Sequence, residues 1–178
     1  TQQPPRVTLT PAKTVQVTPC DTEEMVLVRY LLLFVGQELY EEERNGMPYS
    51  VTVGEYIIHE LAEDELEMLN PLLREIQNEY RRNYRNPGFI PSKYFIGNPD
   101  VSICELVADI LSEPYELSKL WTLKDSSMRT EEMMLDELLP KIVDNYKMRR
   151  IEILCREADE KILEFQNAGD MERLVEWI

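Results

Sequence analysis

The stretch that decides the fold is "LLPKIVDNYKMRRIEILCREADEKILEFQNA", residues 138–168. Ile142, Tyr146, Ile151, Leu154, Ala158, Ile162 and Phe165 recur there at intervals of three and four, with one of five. That period is helical. A helix of about 28 residues spans roughly 42 Å at 1.5 Å per residue, more than a compact bundle of this size needs. Its far end, beyond about Arg156, is therefore expected to project outward. Pro140 belongs near the first turn, where a missing N–H costs least, or marks a kink. At the other end, Gly169 followed by Asp170 reads as one helix stopping and another starting.

Working outward, the rest of the chain is also read as helical. Asp21 and Glu24 have the spacing of a capping pair before the apolar run "MVLVRYLLLFV", residues 25–35. The helix they open is expected to reach about Glu43, with Gly46 and Pro48 stopping it. Thr52 and Glu55 form a second capping pair, in front of Tyr56, Ile57, Leu61 and Ala62. Asn70-Pro71 is a third start signal, an asparagine cap with proline at the first helical position. That helix should end before Pro87-Gly88, and Asn98-Pro99 repeats the device before "VSICELVADILS". "YELSKLW" after Pro114 reads as a short helix and "TLKDSSMRT" as a loop. The Val-rich pieces at 7–17 and 51–53 are short and lack a turn signal, so no strand is expected.

Residues 1–20 hold Pro4, Pro5, Pro11 and Pro19 and no acidic residue. They read as a flexible, Pro-rich linker, and Thr1 suggests a piece of a longer protein. The expected fold is all-α: a multi-helix bundle over 21–150, then a helical hairpin subdomain over 151–178. The long helix leads into that hairpin, whose second arm is cut short at Ile178.

The chain carries 34 acidic against 19 basic residues, a formal charge of −15. Such a balance repels phosphate backbones, so direct nucleic-acid binding is not expected. No apolar run is long enough to span a bilayer, and no membrane role is expected. Cys20, Cys104 and Cys155 lie far apart without metal-ligand spacing, which suits free thiols in a reducing, cytoplasmic setting. Core packing is the default for Cys104 and Cys155.

Catalytic chemistry finds little support. His59 is the sole histidine. Position 63 is Glu63 where a zinc-protease helix needs a second histidine, and Tyr56 stands where a di-iron helix needs glutamate. Glu63, Asp64, Glu65 and Glu67 read as a solvated acidic helix end. The glycines are scattered, with no phosphate loop. Arg81, Arg82 and Arg85 form a small cationic patch, as do Lys147, Arg149 and Arg150, and neighbouring carboxylates are expected to balance them. Met128, Met133 and Met134 read as core filler. No catalytic residue, cofactor or metal is expected.

Three segments carry a family resemblance: "EYIIHELAEDELEMLNP" (55–71), "NPDVSICELVADILSEPYELSKLW" (98–121) and "ELLPKIVDNYKMRRIEILCREADEKILEFQNAGDMERL" (137–174). In their order, a bundle followed by Leu-Pro, "VDNYKMRRIE" and a long helix ending near "QNAGD", they resemble the C-terminal helicase-binding domain of bacterial DnaG-type replicative primase. The resemblance implies a hairpin that docks on the N-terminal domains of the hexameric replicative helicase, coupling primer synthesis to unwinding. It implies no catalytic part in this piece. Arg156, Lys161, Ile162, Phe165, Asp170, Arg173, Leu174 and Trp177, on the two arms around Gly169, are the residues expected at the helicase. Exchange of hairpins between chains would give a dimer. Two other readings stand beside this one: a generic acidic helical adaptor, and a small-ligand or metal bundle around His59.

Overall fold

The computed structural model describes residues 18–112 and 131–170, with 173 and 175. Within them the chain forms α1 (Asp21–Leu33), β1 (Glu38–Arg44), β2 (Met47–Thr52), α2 (Val53–Glu63), α3 (Pro71–Asn83), α4 (Pro91–Ile96), α5 (Val101–Ser112), a 3-10 turn (Glu131–Met134) and α6 (Leu135–Ala168). The architecture is mainly α, with one small antiparallel hairpin. The readings of "YELSKLW", "TLKDSSMRT", the Val-rich piece at 7–17 and Met128 fall outside the described residues. None of the described helices is long and apolar enough to cross a membrane.

α1 is the hub, packed against α2, α3, α4, α5 and α6. Its Leu27, Val28, Tyr30 and Leu31 are fully buried, and Ile57, Leu73, Ile76 and Phe95 close over them. Each such aliphatic side chain contributes about 1.5–3 kcal/mol by leaving water.

The expected helix from Asp21 to Glu43 is corrected to one that ends at Leu33. The chain then turns into a β-hairpin, with Arg44 opposite Met47 and Glu42 opposite Tyr49. Asn45 (φ 55°) and Gly46 (φ 78°) make its two-residue turn. Asn-Gly tolerates the left-handed conformation at both positions, which matches the twist of paired strands. A helix would also have stacked Glu38 on Glu41 and Glu42, like charges one turn apart. In the hairpin Glu42 pairs instead with Arg44, whose guanidinium lies 3.9 Å from the Tyr49 ring centre.

Several start signals are realised atom by atom. Thr52 Oγ1 accepts the Glu55 N–H at 3.3 Å and Glu55 Oε2 accepts the Thr52 N–H at 3.4 Å. Asn70 Oδ1 accepts from the N–H groups of Leu72 and Leu73 at 3.0 and 3.4 Å. The α5 cap is Asp100 rather than Asn98: Asp100 accepts the Ser102 N–H, and Asn98 accepts the Asp100 N–H, each at 2.9 Å. α4 is a short helix that Pro91 opens and that the sequence reading passed over.

The Asp21/Glu24 pair does not cap α1. Asp21 receives the Thr18 N–H and hydroxyl at 2.9 and 2.7 Å. Glu24 turns inward and is fully buried. Its two oxygens accept the backbone N–H groups of Leu69 (2.6 Å) and Asn70 (3.0 Å), ahead of α3. The Tyr146 hydroxyl of α6 donates to it at 3.3 Å. A buried carboxylate is tolerable only when its lone pairs are filled in this way. Cys20, assigned by sequence to the linker, is also fully buried. Burial, with Glu24 and Glu23 nearby, pushes its thiol up to about 11.

Candidate docking arm on the long helix

α6 runs 34 residues, some 51 Å at the standard rise. It contains Pro140 beyond its first turn. One face of its first half enters the bundle: Leu135, Leu139, Val143, Tyr146 and Ile153 are buried. Past Ile153 no residue of the helix is buried. The last 15 residues, about 22 Å of helix, leave the bundle.

A group of polar contacts holds the point of departure. Tyr146 reaches Glu24, as above. Lys147 Nζ lies 2.7 Å from both Glu60 and Asp64 at the end of α2. Burial works against its ammonium, but the hydrogen bonds to Asp64 and Glu60 outweigh it and lift the group well above the usual lysine range. Arg149 donates to the Pro19 carbonyl at 3.3 Å and pairs with Glu152. Arg150 donates to the Glu67 carbonyl and, at 3.2 Å, to the Tyr146 hydroxyl. The second cationic patch is thus spent on fixing α6 to Pro19, just ahead of α1, to α2 and to the 64–70 loop.

Beyond this clamp the apolar face changes sides. Tyr146 and Ile151 are five residues apart, roughly 140° around the helix. Met148, Ile151, Cys155, Ala158, Ile162 and Phe165 then follow at steps of three and four, the spacing of a helix-pairing seam. Met148 (60% exposed) and Ile151 (59%) are open to solvent, as are Leu154 (55%) and Leu163 (57%) beside the seam. Ala158, Ile162 and Phe165 are half-buried. Core packing is therefore corrected for Cys155, which is exposed, and for Met133, which is 70% exposed. Cys104 is half-buried, with its thiol 3.0 Å from the Ile96 carbonyl. Glu152, Glu157, Asp159, Glu160 and Glu164 outnumber Arg156 and Lys161 along the arm.

The helix ends at Gly169, whose φ of 68° is left-handed. Its N–H and that of Asp170 donate to Gln166 (3.1 Å) and Phe165 (3.0 Å), closing the end of α6. Asp170 Oδ1 then accepts the Arg173 N–H at 3.2 Å, and Arg173 Nε lies 3.5 Å from Oδ2. α6 thus stops at Gly169, and Arg173 and Val175 beyond it are helical. Among the residues singled out by sequence, Arg156 and Lys161 are exposed, Ile162 and Phe165 share one side of the arm, and Asp170 and Arg173 pair just past Gly169. Leu174 and Trp177 lie outside the described residues. Sequence reasoning missed Glu24 and the outward turn of Met148, Ile151 and Leu154. The one interval of five was the available signal for the latter.

His59, Glu60 and Glu63 place one ligand atom each within 4.8 Å of one another. Glu60 is already committed to Lys147, and His59 Nε2 lies 3.7 Å from Glu63. An ammonium-bound carboxylate is a poor third ligand for a metal.

A helical bundle with a clamped, outward-running helix is the geometry of a domain that presents an arm. Residues 11–178 match the family model described as Domain of unknown function (DUF8430), and the chain belongs to that family. No curated protein and no solved structure matches it.

Proposed function

We propose that the domain is a cytoplasmic protein-docking module, not a catalyst, and that the arm from Met148 to the Gly169 turn is its contact surface. The observation that carries this is the row of exposed and half-buried apolar residues, Met148, Ile151, Cys155, Ala158, Ile162 and Phe165, along the outer half of α6. Isolated exposed apolar residues are common, but a row of them at helix-pairing spacing suits a helix-in-groove or helix-on-helix partner. The resemblance to the primase domain supplies a specific partner: the N-terminal domains of the hexameric replicative helicase. The turn at Gly169 and the cap at Asp170 support that reading, because a helicase-docking hairpin needs both. On it the domain tethers a primase to the helicase, and the arm's charges set orientation and association rate more than affinity.

The test is calorimetric titration of the matching helicase N-terminal domain into the protein. Binding is expected. Trp177→Ala is expected to weaken it by about 1–3 kcal/mol, as for an aromatic anchor, with the bundle's melting unchanged. Failure of the helicase domain to bind would remove it as the partner. Sedimentation of the same samples distinguishes a monomer from a hairpin-exchanged dimer.

A further inference from the structure

The other cationic patch behaves differently from the one that clamps α6. Arg81 and Arg82 occupy the last turn of α3, and Arg85 follows just beyond it. Cations there offset the negative end of the helix dipole, which accounts for their position but supplies no counter-ion. Among the described residues none of the three forms an ion pair, in a chain whose formal charge is −15. All three line one cleft of about 470 Å³, with Ile58, Ala62 and Tyr84.

A second cleft, of about 440 Å³, adjoins it and shares Ile58, Tyr84 and Arg85. Tyr40 and Tyr56 line this one, edge to face at 6.3 Å. The Tyr84 ring, stacked on Tyr80 with 7° between planes, lies between the two, and the Arg85 guanidinium is 5.2 Å from its centre. The carboxylates that line the second cleft each have a partner. Glu42 pairs with Arg44, Glu55 accepts from the Tyr49 hydroxyl, and Glu60 pairs with Lys147. Glu55 keeps its charge, since its partner is a neutral hydroxyl, and Glu60 shares Lys147 with Asp64, so the tyrosine end stays acidic and the positive charge of the joined clefts sits at the arginine end.

We propose that the joined clefts bind a nucleoside di- or triphosphate. The phosphates lie against Arg81, Arg82 and Arg85, and the nucleoside lies among Tyr40, Tyr56 and Tyr84. Guanidinium forks match phosphate oxygens two at a time. Tyr40 and Tyr56 offer ring surface for a base, Tyr84 being already stacked on Tyr80 and faced by Arg85, and the carboxylates retain lone pairs for amino and ribose hydroxyl groups. A cleft of a few hundred Å³ is the usual size for a ligand of this class. A polynucleotide fits less well, because a long phosphate backbone must also approach the rest of a chain whose formal charge is −15. An acidic peptide fits less well too, because its carboxylates would meet Glu42, Glu55 and Glu60. This site lies on α2 and α3, away from the arm, and does not depend on how the arm is used.

The experiment is isothermal titration of the protein with ATP, GTP, inorganic triphosphate, a single-stranded decanucleotide and a polyglutamate peptide. Either nucleoside triphosphate is expected to bind about tenfold or more tightly than inorganic triphosphate. The R81Q/R85Q protein should lose at least about tenfold in affinity, since two charge-assisted phosphate contacts go. These arginines are exposed, so the variant should still fold, melting only slightly below the parent for want of the charge at the end of α3. Tyr56→Phe, which keeps the ring, should retain binding. No heat with either nucleotide at millimolar concentration would overturn the proposal. So would equal affinity of parent and R81Q/R85Q, inorganic triphosphate binding as tightly as ATP, or binding of the oligonucleotide or peptide in preference to nucleotides.

Discussion

The two halves of α6 are one continuous helix under two sets of constraints. From Leu135 to Ile153 one apolar face, Leu135, Leu139, Val143, Tyr146 and Ile153, is buried in the bundle, and Tyr146, Lys147, Arg149 and Arg150 bond to Glu24, Glu60, Pro19 and Glu67. From Leu154 to Ala168 none of its residues is buried. Ile151 and Ile153 mark the change: two residues apart, one is 59% exposed and the other 9%. Composition does not separate the halves, since both are amphipathic. What differs is that the described residues bury one face of the first half and no residue of the second, which is held by its own hydrogen bonds and by the clamp at its root.

The contrast gives graded expectations. The largest effect should come at the root. Glu24→Ala leaves the N–H groups of Leu69 and Asn70 without their acceptor, and each lost buried partner costs about 1–3 kcal/mol. A loss of about 3 kcal/mol or more in urea unfolding is expected, and a loss below about 1 kcal/mol would show that the carboxylate does not hold the root. Next comes Ile153→Ala, expected to cost about 2–3 kcal/mol because the site is packed and cannot collapse fully.

A smaller, pH-dependent effect follows from Glu24. Burial raises its carboxyl above the ordinary range, against the hydrogen bonds from Asn70, Leu69 and Tyr146 that favour the charged form. The folded protein therefore takes up this proton at a higher pH than the unfolded chain does. The stability this group contributes grows as pH falls through the folded value, and is complete below the unfolded value of about 4.3. The stability of the parent relative to Glu24→Gln should accordingly rise between pH 7 and pH 4 in denaturant titrations. A relative stability that falls over that range would contradict the assignment. Smallest of all is Ile151→Ala, expected within about 0.5 kcal/mol of the parent because the side chain is in water in the free protein. A cost like that of Ile153→Ala would mean that the outward face is covered.

Much of the helical framework was legible because its signals are local. Thr52 with Glu55, Asn70 with Pro71, and Gly169 with Asp170 each fix a helix boundary through atoms two to five residues apart. The hairpin was missed although Asn45-Gly46 is among the strongest short-range turn signals. Gly46 and Pro48 served as well for stopping a helix, and the acidic run Glu41, Glu42, Glu43 carries no apolar alternation. Glu24 illustrates a different limit. At the sequence level its spacing from Asp21 fits a cap, and nothing local says that its acceptors will be needed by Leu69 and Asn70, some 45 residues away. The arm was anticipated from length alone. Which of its apolar residues point outward depends on the face at which α6 meets α1, and that is a tertiary fact.

The measurement that tests the docking account most directly is the affinity of the helicase N-terminal domain for the protein cut after Arg156, against that for the uncut protein. The cut removes Ala158, Ile162, Phe165 and the Gly169 turn but leaves the buried face and the clamp. Binding should be lost while the bundle still melts cooperatively. Binding that survives the cut would contradict the docking account.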